Sequence, residues 1–237
     1  MDIRKISVLI SAISLVLPIA VALFRLKNMD VTLRLFLYFL VYSLSVEIIG
    51  SLFLGLQEVN NMFIFNLYSF VEMLFYSFIL LKFKNSTFAT SRFLFLFCMV
   101  LFGWIVLIFV KGYLIDSASN ETVGSNRFML GINEFNEYFL AIKSIVLILL
   151  SAALLLYLSQ NSFNLPSDPR FWICLGVLVY FTINIAVFSS YFIPVEVGGN
   201  LKTALGKFSW LIHNFINVIA NLLFAIGINQ TKNTSTD

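Results

Sequence analysis

Histidine occurs once in 237 residues, cysteine twice and proline four times, and charged side chains make up only 11% of the chain. Each scarcity removes a class of function. A catalytic zinc site takes about three protein ligands, several of them commonly histidine, so His213 with the widely separated Cys98 and Cys174 supplies no such set. Both cysteines fall inside apolar runs, where buried free thiols are expected rather than a disulfide framework. The formal net charge is only +3, and nucleic acid is not an expected partner. No lysine lies in the last apolar run to carry a retinal Schiff base, since Lys207 precedes it. Glycine-rich phosphate loops, nucleophile elbows and HExxH helices are also missing. A non-enzymatic protein that needs no cofactor and no metal is therefore expected.

What the chain does have is apolar surface. Hydrophobic residues make up 60% of it, including 27 phenylalanines, and the mean hydropathy is +0.95. That is more than the core of a soluble domain needs. Continuous runs of about 18 to 25 apolar residues, the length that crosses a bilayer as a helix, recur between polar breaks. They predict an all-α, polytopic membrane protein with seven transmembrane helices at about 6–24, 35–56, 62–81, 93–114, 138–158, 171–192 and 209–228. Helices are preferred to a β-barrel because the runs are continuous rather than alternating. The lipid bilayer is thus the first expected partner.

Residues 4–22 also resemble a secretory signal, with Arg4 and Lys5, an apolar run and "AVA" at 20–22. Arg25 and Lys27 follow at once and favour an uncleaved first helix; cleavage near Leu23 is the alternative. Across seven spans, one side carries Arg25, Lys27, Arg34, Lys82, Lys84, Arg92, Arg170 and Lys232. The other carries Arg4, Lys5, Lys111, Arg127, Lys202 and Lys207, with Asp116, Glu121 and Glu134 in its longest loop. The excess of basic residues places the first side in the cytoplasm, with the N-terminus outside and the C-terminus inside. Polar loops at 115–134 and 194–207 are expected to cap the outer mouth, and the tail at 229–237 is too short for a domain. "LVY" at 40–42 and 178–180 hints at a three-plus-one-plus-three repeat, although chance in so biased a composition explains a three-letter match.

Polar residues inside the spans are the informative ones. At about 100° per residue, His213, Asn214, Asn217 and Asn221 share one narrow stripe of the last helix. Tyr68, Ser69, Glu72 and Tyr76 do the same in the third span, and Ser43, Glu47, Gly50 and Ser51 in the second. A carboxylate at mid-membrane costs on the order of 3 kcal/mol, so Glu47 and Glu72 are expected to face protein or water. With Asn66, Lys143 and Asn184 they predict a polar chamber in the outer half, lined by spans two, three, five, six and seven. The asparagines could equally serve helix packing. Lys143, near a helix end, is expected to snorkel outward, with an ion pair to Glu47 or Glu72 as the alternative.

At "NLYSFVEMLFYSF" (66–78) and "WLIHNFINVIAN" (210–221) the chain resembles uncharacterised bacterial seven-helix inner-membrane proteins, modules of the kind found as sensory inputs ahead of signalling proteins. The resemblance implies a sensor-like or accessory role, with Asn66, Glu72, His213, Asn214 and Asn217 as the matching positions. Without an output domain of its own, such a chain would need a separate signalling protein. The candidate ligand-binding or ion-coupling set is Glu47, Asn66, Tyr68, Glu72, Lys143, Asn184, His213, Asn214 and Asn217. A small ligand from the outer side is the favoured reading, a proton- or cation-coupled transporter or channel the second, and a structural subunit of a membrane complex the third.

Overall fold

Backbone polar groups that face hydrocarbon must be satisfied within their own segment, and long continuous apolar runs therefore fold as helices. The computed structural model describes residues 3–50, 62–84, 90–118, 137–162, 164–189 and 199–231. Among them are seven α-helices: α1 (Ile3–Arg25), α2 (Val31–Glu47), α3 (Met62–Lys84), α4 (Thr90–Ala118), α5 (Glu137–Asn161), α6 (Pro169–Ser189) and α7 (Gly199–Asn229). All except α4 are long and apolar enough to cross a membrane. In α4 the apolar stretch among the described residues is the shorter Phe97–Tyr113.

The expected boundaries differ from the helices at two informative places. The stretch at 194–207, expected as an outer loop, is helical from Gly199 onward and extends α7 by more than two turns. Its Leu, Lys and Ala residues are strong helix formers, and that propensity prevails over the glycines. The second span begins earlier than expected, at Val31, because the Asp30 carboxylate accepts the backbone N–H of Leu33 at 2.7 Å and caps the helix. The expected ends of the second and sixth spans at 51–56 and 190–192, Ser51, most of the 115–134 loop and the end of the tail lie outside the described residues.

Packing closes six of the helices into a ring in the order α1, α2, α3, α5, α6, α7 and back to α1, while α4 lies outside against α3 and α5. Its contact is a separate apolar cluster of Phe70, Met73, Leu74, Val100, Trp104, Ile108 and Phe139. Helix α1, whose removal as a signal peptide is the alternative sequence reading, is a full wall of this ring. Large apolar side chains point outward all round: Ile142, Ile145, Leu149 and Leu156 on α5, and Phe102 and Phe109 on α4. An apolar belt of this extent suits hydrocarbon, not water.

Two glycines set the closeness of α6 and α7. A Cβ on Gly176 would lie 2.6 Å from the Phe224 ring, and one on Gly227 2.9 Å from the carbonyl oxygen of Pro169. Side chains at either position would push the two helices apart.

The end of the bundle where α1, α3 and α7 finish is tied by polar contacts. Arg25 donates to the Asn229 side-chain oxygen at 3.1 Å, joining α1 to α7. Arg170 pairs with Asp168 at 2.7 Å and reaches the Phe83 carbonyl at 3.4 Å, joining the start of α6 to the end of α3. Above these ties sits an aromatic layer. Tyr76 on α3 meets Phe36 and Phe39 on α2, Phe181 on α6 and Phe224 on α7, at centroid separations of 5.0 to 6.4 Å.

Candidate functional site

Beyond the aromatic layer, the ring encloses a cavity of about 360 Å³. All nine candidate residues, Glu47, Asn66, Tyr68, Glu72, Lys143, Asn184, His213, Asn214 and Asn217, line it. The walls come from α2, α3, α5, α6 and α7, as the sequence predicts, and also from α1, which it does not. Tyr76, Phe181 and Phe224 form the floor.

One hydrogen-bonded chain runs along α2, α3 and α5. The Lys143 ammonium donates to Glu72 Oε2 and, at 2.8 Å, to Ser69 Oγ. It also lies 5.6 Å from the centroid of the Phe181 ring, within cation–π range. Glu72 Oε1 lies 3.3 Å from the Tyr68 hydroxyl, which is 3.2 Å from Ser43 Oγ. A carboxylate can only accept, so Tyr68 donates to Glu72 and Ser43 donates to Tyr68. Lys143 and Glu72 are 4% and 2% exposed.

The expectation that Lys143 snorkels outward is therefore overturned; the alternative, an ion pair with Glu72, is what forms. Geometry explains the choice. Lys143 is buried together with Ser144 and Leu147 on the inward stripe of α5, whereas Ile142 and Ile145 face outward. Snorkelling from the inward stripe would leave Glu72 as an unpaired charge in an apolar medium.

A second chain runs along α1, α7 and α6. Asn217 donates one amide proton to Ser11 Oγ at 3.1 Å and lies 3.5 Å from His213 Nε2. The opposite ring nitrogen, Nδ1, is 2.8 Å from Asn184 Oδ1. Either neutral tautomer of His213 meets both contacts, with the proton on Nδ1 if Asn217 donates to Nε2, or on Nε2 if both amides are turned over. The Asn184 side chain, only 1% exposed, is also in hydrogen-bonding contact with the Tyr180 hydroxyl.

The remaining asparagines of the last helix join it to the first. Asn214 donates to Ser7 Oγ at 2.9 Å and Asn221 to Ser14 Oγ at 2.8 Å. With Asn217 and Ser11 they make a three-rung ladder between parallel helices. Ser7, Ser11 and Ser14 are absent from the expected site, yet their signal is legible: serines at i, i+4 and i+7 share one face of an apolar helix. Asn214 and Asn217 thus combine both expected roles, holding α1 and lining the cavity. Asn66 is buried at the cavity wall, and Glu47 is half-buried at the end of α2.

No group of three or more His, Cys, Asp or Glu residues that could hold a metal ion occurs among the described residues. Chemically, the site offers one neutralised ion pair, the carboxyl of Glu47, hydroxyls, an imidazole and side-chain amides above an aromatic floor. Such a set can hold and orient a small molecule. No protein-family model, curated protein or solved structure matches the chain.

Proposed function

We propose that this chain is a multi-pass protein of a bacterial inner membrane, with seven spans, an outer N-terminus and a cytoplasmic C-terminus. In this reading it binds a small ligand in the chamber and passes the resulting helix movement to a separate signalling partner. The single observation that carries the reading is the convergence of polar groups from six helices on one cavity of about 360 Å³, a volume within the usual range for small-molecule sites. The orientation draws on Arg25, Arg34, Lys82, Lys84 and Arg170, basic residues gathered at the helix ends farthest from the chamber. The aromatic layer separates the chamber from that end, which suits binding better than throughput.

Thiol labelling tests this. In a background lacking Cys98 and Cys174, Asn184→Cys should react with a membrane-impermeant methanethiosulfonate added outside, and Ser77→Cys, buried at the level of the aromatic layer, should not. Protection of both positions, or reaction of Ser77→Cys alone, would sink the outward-facing chamber.

One observation favours a second reading. With α4 outside the ring, α1–α3 and α5–α7 occupy it as two consecutive three-helix halves, the order that parallel repeats take in some transporters. Glu47 and Glu72 would then be the coupling sites. Reconstituted vesicles decide between the two: proton or cation flux in the wild type that disappears in Glu47→Gln and Glu72→Gln would establish transport.

A further inference from the structure

Granting the binding reading above, the seams of the ring show how the chamber opens. We infer that α2 and α3 move as one unit against a fixed body of α1, α5, α6 and α7, and that the Lys143–Glu72 pair is the latch that holds the chamber shut.

In lipid no hydrophobic force drives helices together, so close backbone approach and interhelical hydrogen bonds set how firmly they adhere. The body has both. Ser7, Ser11 and Ser14 on α1 are hydrogen-bonded to Asn214, Asn217 and Asn221 on α7. Ala12 and Ala22 on α1 and Ala220 and Ala225 on α7 are buried, and Gly176 and Gly227 bring α6 close against α7. Helix α5 runs closely along α6.

Helices α2 and α3 are joined to each other by stacked rings and a hydroxyl contact. Phe39 stacks on Phe75 at 4.6 Å and Tyr42 on Tyr68 at 6.0 Å, and Tyr68 is hydrogen-bonded to Ser43. Their meeting with the body is of another kind. The backbones of α1 and α2, and of α3 and α5, approach over shorter stretches than those within the body. Phe36 meets Phe224, and Tyr76 meets Phe181 and Phe224, at 5.1 to 6.4 Å with rings tilted or edge-on. Rings of this size keep backbones apart, where glycine, alanine and serine let them close. Across the α3–α5 seam on the chamber side, Lys143 supplies the polar tie, to Glu72 and Ser69. Phe70 lies 5.1 Å from Trp104, so α4 travels with α3.

Both helices of the unit are pinned at the end away from the chamber. The short turn Leu26–Asn28 connects α1 to α2, and Arg34 Nε holds it by donating to the Met29 carbonyl at 3.0 Å. Helix α3 is held there by the Arg170 contact to the Phe83 carbonyl. A pivot at one end and a latch towards the other make a hinge. Loss of the ion pair lets α2 and α3 tilt outward and parts α3 from α5. A ligand that touches α3 and α7 together binds the closed form better and shifts the population towards it. The accompanying tilt of Lys82 and Lys84, at the end of α3, is the movement a partner would read.

Distances between paired spin labels on exposed positions, in protein lacking Cys98 and Cys174 and reconstituted in lipid nanodiscs, test the hinge without any ligand. Ser45→Cys with Thr182→Cys, and Leu67→Cys with Leu211→Cys, span unit and body at the chamber end. Ser45→Cys with Leu67→Cys lies within the unit, Ile10→Cys with Ile142→Cys within the body, and Val31→Cys with Leu156→Cys near the pivot. Glu72→Gln combined with Lys143→Met buries no charge and keeps an acceptor for Tyr68. It should lengthen the first two distances by more than about 2 Å, beyond side-chain adjustment, and leave the other three unchanged. If that variant fails to fold, Glu72→Leu with Lys143→Met is measured in its place against the same expectation. Five unchanged distances would overturn the latch. Lengthening between Ser45 and Leu67 would show that α2 and α3 do not move together, and lengthening between Ile10 and Ile142 that the body is not fixed; either overturns the proposal. Because no ligand takes part, all of these outcomes leave the binding reading to the labelling of Asn184→Cys.

Discussion

The ammonium of Lys143 on α5 sits against the carboxylate of Glu72 on α3, both almost fully buried. The pair bridges two helices that are not consecutive in the chain and closes the ring past α4, which lies outside it. Opposite it, His213 on α7 meets Asn184 on α6. Between them, the two contacts define the chamber.

Removing one member of the ion pair strands the other. Glu72→Leu and Lys143→Met are each expected to destabilise the protein by about 3–5 kcal/mol. The double variant, which buries no charge, should lose clearly less than the sum of the singles. Unfolding of the solubilised protein, followed by circular dichroism, measures all three; strictly additive losses would show that the charges do not interact.

The serine–asparagine ladder fixes both the neighbour and the register of α1. In a background without Cys98 and Cys174, Ser14→Cys with Asn221→Cys should cross-link under mild oxidation, and Ser14→Cys with Asn214→Cys should not. The triple change of Ser7, Ser11 and Ser14 to alanine should cost about 2 kcal/mol, at roughly 0.6 kcal/mol per interhelical hydrogen bond in a membrane. Equal cross-linking of both pairs would contradict the register.

Because α1 is a wall of the chamber and the partner of three asparagines, the membrane-extracted protein is expected to keep it. N-terminal sequencing should find the start of the chain ahead of Ser7. A mature chain starting near Leu23 would leave Asn214, Asn217 and Asn221 without the partners seen here.

The α6–α7 contact tolerates no side chain at its two glycines. Gly176→Val is expected to cost about 1–3 kcal/mol by overpacking, and Phe224→Leu, which clears space around the ring, should recover part of it. Gly227→Ala meets the Pro169 backbone and should gain nothing from the same second change. Thermal midpoints of the four variants give the comparison.

Much of the site can be read from the sequence because polar groups in apolar helices are too costly to face lipid. Glu47, Glu72, Asn184 and the asparagine stripe had to turn inward, and they do. The fate of Lys143 could not be read, since a lysine two turns into a helix can either reach the interface or pair across the bundle. Which of these happens depends on whether its stripe faces α3. Ser7, Ser11 and Ser14 escaped for the opposite reason: serine is cheap enough in a membrane helix that its presence alone demands no partner.

Composition and the length of the apolar runs were sufficient for an all-helical chain with membrane-spanning character, and helical periodicity was sufficient to gather each polar stripe on one face. Both are properties of a single segment, set by backbone hydrogen bonding and by 3.6 residues per turn. Which stripe meets which is a property of pairs of segments far apart in the chain. Only packing decided that α4 would stay outside, that α1 would lie along α7, and that Lys143 would pair with Glu72.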